Sequence, residues 1–193
     1  DAGSSIIENN EDRMEFYVDI LQTHDVIVFD ENQMFMNKFI KMTVIKEFGL
    51  ENSDIINSSI IESGCVIVKK SDYSLKFIKE WKEYLIKDNY KLVNDNLYGE
   101  KQLDTFSEHR HDQAVLGILS RKSKRVKVCD GLFEVYHRGP IFHSRMTDNG
   151  PREWAKPVPV FDNKKNNNLK IIDCFIFYNE LDLLNYRLEV LNE

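Results

Sequence analysis

Short apolar runs alternate with stretches of helical periodicity through the first 130 positions of the chain. In the helix-like stretches apolar residues recur every three or four positions, whereas the strand-like runs are continuous or alternate with charged residues. The pattern predicts strands at 26–29, 64–68 and 125–129, helices at 11–21, 38–48 and 111–121, a long helix capped by Ser71, and loops at 30–32 and 89–106. Strands that alternate with helices favour an α/β fold with a layered sheet.

The texture of the chain changes after Gly150. Several prolines precede an Asn- and Lys-rich run, which is typical of a flexible linker because it buries almost nothing. An apolar strand at 171–177 and an amphipathic helix follow, as at the start of a βα unit. The chain starts without methionine and stops within a helical pattern, so we expect a fragment of a longer polypeptide. The predicted organisation is a first unit at 1–155, a linker at 156–169 and the beginning of a second unit at 170–193.

Composition narrows the class of protein. With 193 residues, 42% of them hydrophobic, the chain suits one domain of ordinary size. Its net charge of −6 argues against nonspecific binding to nucleic acid or to a membrane surface. No apolar stretch approaches the ~18 residues of a membrane span. Three widely spaced cysteines form no CxxC pair and predict free thiols in a reducing compartment, hence a cytoplasmic protein. The composition, rich in Asn, Ile and Lys, is compatible with an AT-rich genome of a bacterium or a virus.

The densest polar run lies at 108–113, where a loop enters a predicted helix. It consists of Glu108, His109, Arg110, His111, Asp112 and Gln113. One cap residue satisfies a helix end, so this run offers more hydrogen-bonding capacity than capping requires. Three interpretations stay open from the residues alone: a metal site, a general-base site, or a clamp for sugar hydroxyls.

Two further segments carry candidate chemistry. In an extended segment His143 and Arg145 lie on the same side, so an imidazole that ligates a divalent metal would neighbour a guanidinium that meets a phosphate. An exposed loop with scattered charge is the alternative interpretation. At the start of the chain, Asp1 stands beside two small residues that allow close approach to a metal-bound diphosphate.

Together these motifs resemble a group of putative GT-A-type glycosyltransferases. In that group a DAG motif occupies the place of the usual DxD, as Asp1-Ala2-Gly3 does here. A strand of the form xxGxIxxxK follows, matched by 62–70, then a helix with a central tryptophan, matched by Trp81. The run EHRHDQ and the tail at 141–152 complete the resemblance, which covers residues 1 to about 155.

The resemblance implies a set of roles. The expected fold is the C-terminal half of a GT-A, Rossmann-like layered sheet without its nucleotide-binding N-terminal half. The expected activity is transfer of a hexosyl or N-acetylglucosaminyl group from a nucleotide-sugar donor to a hydroxyl of a glycan or glycoprotein acceptor, with Mn²⁺ or Mg²⁺ as cofactor. The implied site comprises catalytic Asp112 with His111, acceptor-binding His109, Arg110, Gln113 and Gly64, diphosphate-binding Arg145 and His143, and the metal ligands Asp1 and His143.

The C-terminal segment resembles a different family. Residues 170–188, with the stretch Phe177-Tyr178-Asn179-Glu180-Leu181-Asp182, are similar to the opening strand and helix of glycosyltransferase family 17, the β-1,4-mannosyl-glycoprotein β-1,4-N-acetylglucosaminyltransferases. Two glycosyltransferase modules in tandem suit a polypeptide that builds glycans. Two alternatives remain: a non-catalytic scaffold or glycan-binding module, and a metal-dependent hydrolase built on the histidine-rich run.

Overall fold

The structure, a computed structural model, describes residues 4–6, 11–131, 141–143 and 174–175, with the backbone alone at 4–6, 11–14, 32–33, 141–143 and 174–175. The fold is mixed α/β. Its helices are α1 (Glu11–Thr23), α2 (Met36–Phe39), α3 (Met42–Glu47), α4 (Asp72–Tyr90) and α5 (His111–Lys122), with a short 3-10 helix at Asp54–Asn57. Its strands are β1 (Ser4–Ile6), β2 (Val26–Phe35), β3 (Ser59–Val68), β4 (Val126–Asp130), β5 (Ile141–His143) and β6 (Cys174–Phe175).

Four of these strands form an open mixed sheet in the order β4-β2-β3-β6. β2 runs parallel to β4 and antiparallel to β3, and β3 runs antiparallel to β6. The β2–β3 ladder is irregular: Val28 pairs with Val66, yet the next residue, Phe29, pairs with Glu62. The residues at 63–65 therefore form a bulge in β3, and the bulge changes the side of the sheet on which Glu62 lies.

Apolar side chains cover both faces of this sheet. On one face α5 and α4 pack against Val26, Val28 and Val66, all of them buried. On the other, Tyr17 and Leu21 of α1 cover Ile27 and Phe29. Two covered faces explain why the central strands are continuous apolar runs rather than alternating ones.

Helix α5 is held close to the sheet. A Cβ on Gly117 would lie only 3.3 Å from Cε of Met36, so a glycine here permits close approach of the helix. Arg121 donates from Nη2 to the carbonyl of Ser59 over 2.7 Å. These contacts fix the axis of α5, and its first turn carries the polar run at 108–113 to one end of β2 and β3.

Most of the predicted elements are confirmed. Helices α1, α4 and α5 and strand β4 fall where the periodicity places them, and Ser71 caps α4 by accepting the backbone N–H of Ser74 over 3.2 Å. The loop between α4 and α5 is also present as predicted. Since α4 includes left-handed Asp88 and Asn89, its regular part ends near the predicted start of that loop.

Two element predictions are wrong. The loop expected at 30–32 is strand, because β2 continues to Phe35 beside β3. The single helix expected at 38–48 is two short helices, broken where Ile40 and Lys41 are extended. Burial of the Lys41 side chain accounts for the break, since the ammonium group must reach polar partners that a continuous helix would not offer.

Two short pairings involve the ends of the chain. β1 pairs antiparallel with β5, which places His143 opposite Ser4, and β6 adds Cys174 and Phe175 to the edge of β3. Most of the predicted linker and second unit lies outside the described residues, so the division at 156–169 stays a prediction. In the described part of the chain, no helix has the length and apolarity needed to cross a membrane.

Candidate functional site

The polar run at 108–113 faces two different neighbours. It joins the end of the loop 91–110 to the first turn of α5, and the N-cap residue Arg110 makes no side-chain capping bond. Arg110 and Gln113 interact with acidic residues of the sheet, whereas His109 and His111 contact the loop. The run is therefore not a cap, and its side chains belong to two adjoining clusters.

The first cluster gathers around Glu31 of β2. Gln113 donates from Nε2 to Oε1 of Glu31 over 3.3 Å. The cluster also includes Glu62 of β3, whose Oε1 accepts the backbone N–H of Gly64 over 3.0 Å. Arg110 adds a positive charge whose field lowers the pKa of Glu31. Two predicted acceptor-binding residues, Gly64 and Gln113, thus donate hydrogen bonds to one pair of carboxyl groups, and the charge of a third, Arg110, acts on that pair.

Glu31 has a strongly shifted pKa. Partial burial, together with repulsion by and a shared hydrogen bond with the neighbouring Glu62 carboxyl, raises the pKa from its ordinary 4.5 to about 7. Gln113 and Arg110 oppose this shift. A carboxyl group that is half ionised near neutral pH is suited to accept or donate a proton.

Arg110 is held in place by its own neighbours. Its Nη2 lies 2.7 Å from Oε1 of Glu108, and its guanidinium group lies over the ring of Phe39 at 5.4 Å from the centroid. Its backbone N–H donates to the carbonyl of Phe39 over 2.9 Å. These contacts orient a positive charge beside Glu31.

The second cluster contains the two histidines. His109 is only 6% exposed, and its Nε2 hydrogen-bonds to the carbonyl of Leu92 over 2.7 Å. The exposed His111 ring meets the His109 ring edge-on at 5.4 Å, and its Nε2 lies 2.7 Å from Oδ1 of Asp95. The hydrogen-bond partner of His111 is thus Asp95 and not the neighbouring Asp112. With φ at +30°, His111 adopts a backbone conformation that residues other than glycine rarely adopt.

Lys41 organises the loop that carries Asp95. The side chain is fully buried, and Nζ donates to the carbonyls of Lys91, Asn94 and Asn96 over 2.8, 2.6 and 3.2 Å. Burial lowers the pKa of Lys41, while the carboxylates of Asp95 and Glu100 favour its charged form. The ammonium group folds the chain around itself, as a bound cation would, and thereby sets the position of Asp95.

Asp112 occupies the first turn of α5 and is half-buried. A carboxylate there interacts favourably with the positive end of the helix dipole. A side-chain cap would stand at the N-cap position, which Arg110 occupies. The catalytic role implied for Asp112 stays a prediction.

Burial of His109 predicts a loss of stability on acidification. Burial lowers its pKa from the ordinary 6.5 to about 4, so the unfolded chain takes up a proton at a higher pH than the folded one. The contribution of neutral His109 to the free energy of unfolding is complete above pH 6.5 and falls as the pH drops towards 4. The loss is on the order of 3 kcal/mol at pH 4. Urea unfolding of wild type and His109→Gln across this range should show a steeper loss in wild type than in the variant. Parallel curves for the two proteins would contradict the assignment.

The predicted metal and diphosphate site is described only at its edge. Asp1 and Arg145 lie outside the described residues, and of His143 the structure gives the backbone, opposite Ser4. Within the residues that are described, no group of three or more His, Cys, Asp or Glu side chains could hold a metal ion. The pairing of β1 with β5 joins Ser4–Ile6 to Ile141–His143, and the meeting of Asp1 with His143 stays a prediction.

Sequence reasoning missed Glu31, Glu62, Asp95 and Lys41. Two of them carried a signal, since Glu62 interrupts an apolar strand after Ile60 and Ile61, and Glu31 comes two positions after the buried run that ends at Phe29. Asp95 and Lys41 carried none, because their roles depend on a long loop whose path no local pattern encodes.

The chain was also compared with known proteins. No family model, no curated protein and no solved structure gives a significant match. The resemblance to glycosyltransferases therefore rests on the quoted motifs alone, and the chemistry must be argued from the two clusters.

Proposed function

We propose that the protein belongs to a cytoplasmic glycosyltransferase of GT-A type, which transfers a sugar from a nucleotide-sugar donor to a hydroxyl group of a glycan. The convergence of Gly64, Arg110 and Gln113 on the Glu31–Glu62 pair carries the proposal. The motif resemblance selects these three residues without reference to Glu31. Gln113 donates to a carboxyl group with a pKa near 7, the charge of Arg110 acts on the same group, and Gly64 donates to the neighbouring Glu62. This arrangement supports a site for proton transfer and sugar recognition.

Glu31 accepts the proton of the acceptor hydroxyl in this proposal. The hydroxyl oxygen forms a bond to the anomeric carbon of the donor, the bond from that carbon to the diphosphate oxygen breaks, and the hydroxyl proton passes to the Glu31 carboxylate. A pKa of about 7 provides both a usable ionised fraction and a base strong enough to assist. Gln113 keeps Glu31 in position, and Arg110 stabilises its ionised form.

The divalent cation acts on the leaving group of the donor rather than on the acceptor hydroxyl. When bound, Mn²⁺ or Mg²⁺ neutralises the diphosphate leaving group, and the resemblance assigns it to Asp1 and His143. Arg145 adds positive charge to the same group. The role proposed for Glu31 does not depend on which residues hold the cation.

A nucleotide-release assay on the complete gene product tests the transferase proposal. The protein is incubated with a panel of nucleotide sugars and free glycans in Mn²⁺ or Mg²⁺, and the released nucleoside diphosphate and the extended glycan are measured. We expect acceptor-dependent release with at least one donor, reduced at least tenfold by Gln113→Ala, since this side chain holds Glu31.

Gln22→Ala is the matched control, because the exposed Gln22 amide donates within its own helix, to the carbonyl of Val18. Its turnover should equal that of wild type. Glycan binding without nucleotide release from any donor would favour the non-catalytic module instead. Equal turnover in both glutamine variants would remove Gln113 and the Glu31 cluster from the transfer site.

A further inference from the structure

A groove between α4 and α5 lies at the opposite end of α5 from the polar run. It has a volume of about 370 Å³ and is lined by side chains from α4, from the end of α5 and from the turn into β4. A helix of this length spans roughly 18 Å, so the groove is separate from the Glu31 cluster. Its size lies within the range of small-molecule sites.

Aromatic rings form much of the groove wall. Phe48 and Tyr84 lie with their centroids 4.5 Å apart, and Tyr73 and Phe77 stack at 6.3 Å. Tyr73 is fixed further by a hydrogen bond between its hydroxyl and Ser123. Preformed aromatic walls of this kind bind flat or apolar groups at low entropic cost.

Positive charge dominates the rim, although the chain as a whole carries −6. Lys122, Lys124 and Arg125 line the groove against a single acidic residue, Glu80. Buried Asp25 already pairs with Arg125. Neither of the two lysines forms an ion pair within the described ranges. Lys122 donates to the carbonyl of Phe48 over 3.3 Å.

The helix dipole does not account for this charge. Basic residues in the last turn of a helix offset the negative end of its dipole, and Arg121 and Lys122 satisfy that need. Lys124 follows the C-cap Ser123 and lies beyond the helix. Its ammonium group adds a second cation beside an aromatic wall, where it strengthens the local positive field.

We propose that this groove binds a small anionic ligand that carries a flat ring system. The ring packs against the aromatic wall at Tyr84, since the Tyr73 ring already contacts Phe77 and lies 5.3 Å from the Arg125 guanidinium group. A phosphate, sulfonate or carboxylate group meets Lys122 and Lys124. The ligand thus combines the two properties that the groove presents together, an apolar surface and an excess of positive charge. This site is independent of the proposed transfer reaction.

Two fluorescent probes with nearly the same ring system test this proposal. The anionic 8-anilinonaphthalene-1-sulfonate should bind at one saturable site, with an affinity that falls as salt rises. The uncharged N-phenyl-1-naphthylamine should bind more weakly and without salt dependence. The double variant Lys122→Gln/Lys124→Gln should weaken the anionic probe about tenfold and leave the neutral probe unchanged.

Lys101→Gln, at an exposed lysine of the loop 91–110, is the matched control and should bind both probes as wild type does. Tyr84→Ala should weaken the binding of both probes, since it removes part of the aromatic wall and leaves the positive charges in place. Anilinonaphthalene dyes also bind partly folded chains, so near-UV circular dichroism and the Tm must match wild type. Equal affinity of the charged probe for wild type and the double variant, or no saturable binding, would overturn the proposal.

Discussion

Glu31→Gln is expected to reduce glycosyl transfer by about 10²–10⁴-fold, the usual cost of losing a general base. The amide keeps the shape of the side chain but cannot take up the acceptor proton. The same change should raise stability at alkaline pH. Burial and Glu62 raise the pKa of Glu31 to about 7, so above that pH the folded chain holds a charge that it disfavours. Below the ordinary value of 4.5 the carboxyl is protonated in both states, and the gain disappears. Transfer rates and urea unfolding at pH 4.5 and pH 8 measure both effects.

Asp112→Asn serves as the comparison for that experiment, because the motif resemblance assigns the catalytic role to Asp112 with His111. Loss of turnover in Asp112→Asn with normal turnover in Glu31→Gln would move the proton acceptor to the first turn of α5. Glu83→Gln, at an exposed position of α4, controls for the change in net charge. It should alter neither the rate nor the pH dependence of unfolding.

Lys41→Met should lower the free energy of unfolding by about 3 kcal/mol. Removal of the ammonium group leaves buried carbonyl oxygens of Lys91, Asn94 and Asn96 without their donor, and each lost partner is costly. Methionine has a similar length and apolar stem, so little packing is lost with it. Equilibrium urea unfolding gives the change. Amide hydrogen exchange should show faster opening across 91–98, the part of the loop that the ammonium group holds.

Lys38→Met provides the control from the neighbouring short helix, where the side chain is exposed. We expect a change within about 0.5 kcal/mol, as for most surface substitutions. If the two lysine variants unfold at the same urea concentration, Lys41 does not hold the loop. If Lys41→Met is destabilised but exchange in the loop is unchanged, the contribution of Lys41 lies in the packing of α3 instead.

Much of the fold could be predicted from the sequence, because periodicity is a local signal. Helix α5 and strand β4 fall at the predicted positions, and Ser71 caps α4. The break at Lys41 escaped prediction because its cause is a set of carbonyl groups some fifty positions along the chain. Local patterns do not report which distant backbone a buried charge will meet.

The candidate site could be predicted only in part, for a similar reason. The polar run at 108–113 is visible in the sequence as an excess over capping needs, and Gln113 does donate a hydrogen bond to a second polar group, on which the charge of Arg110 also acts. That group, Glu31 with Glu62, depends on the pairing of β2 with β3. Strand pairing is a long-range property, so the sequence showed one side of the cluster and concealed the other.

Because of the bulge in β3, the meeting of Glu31 and Glu62 depends on the number of residues between Glu62 and Val66. In an evenly paired strand, Glu62 would share a side with Val66, four positions on, and would enter the main core. The extra residues at 63–65 reverse that parity and bring Glu62 to the side of Phe29, one diagonal step from Glu31. Loss of a single residue there would turn the carboxyl away while every acidic side chain was retained. In variants of this chain, the number of residues between Glu62 and Val66 should therefore indicate whether the Glu31–Glu62 pair is kept better than the presence of the two glutamates does.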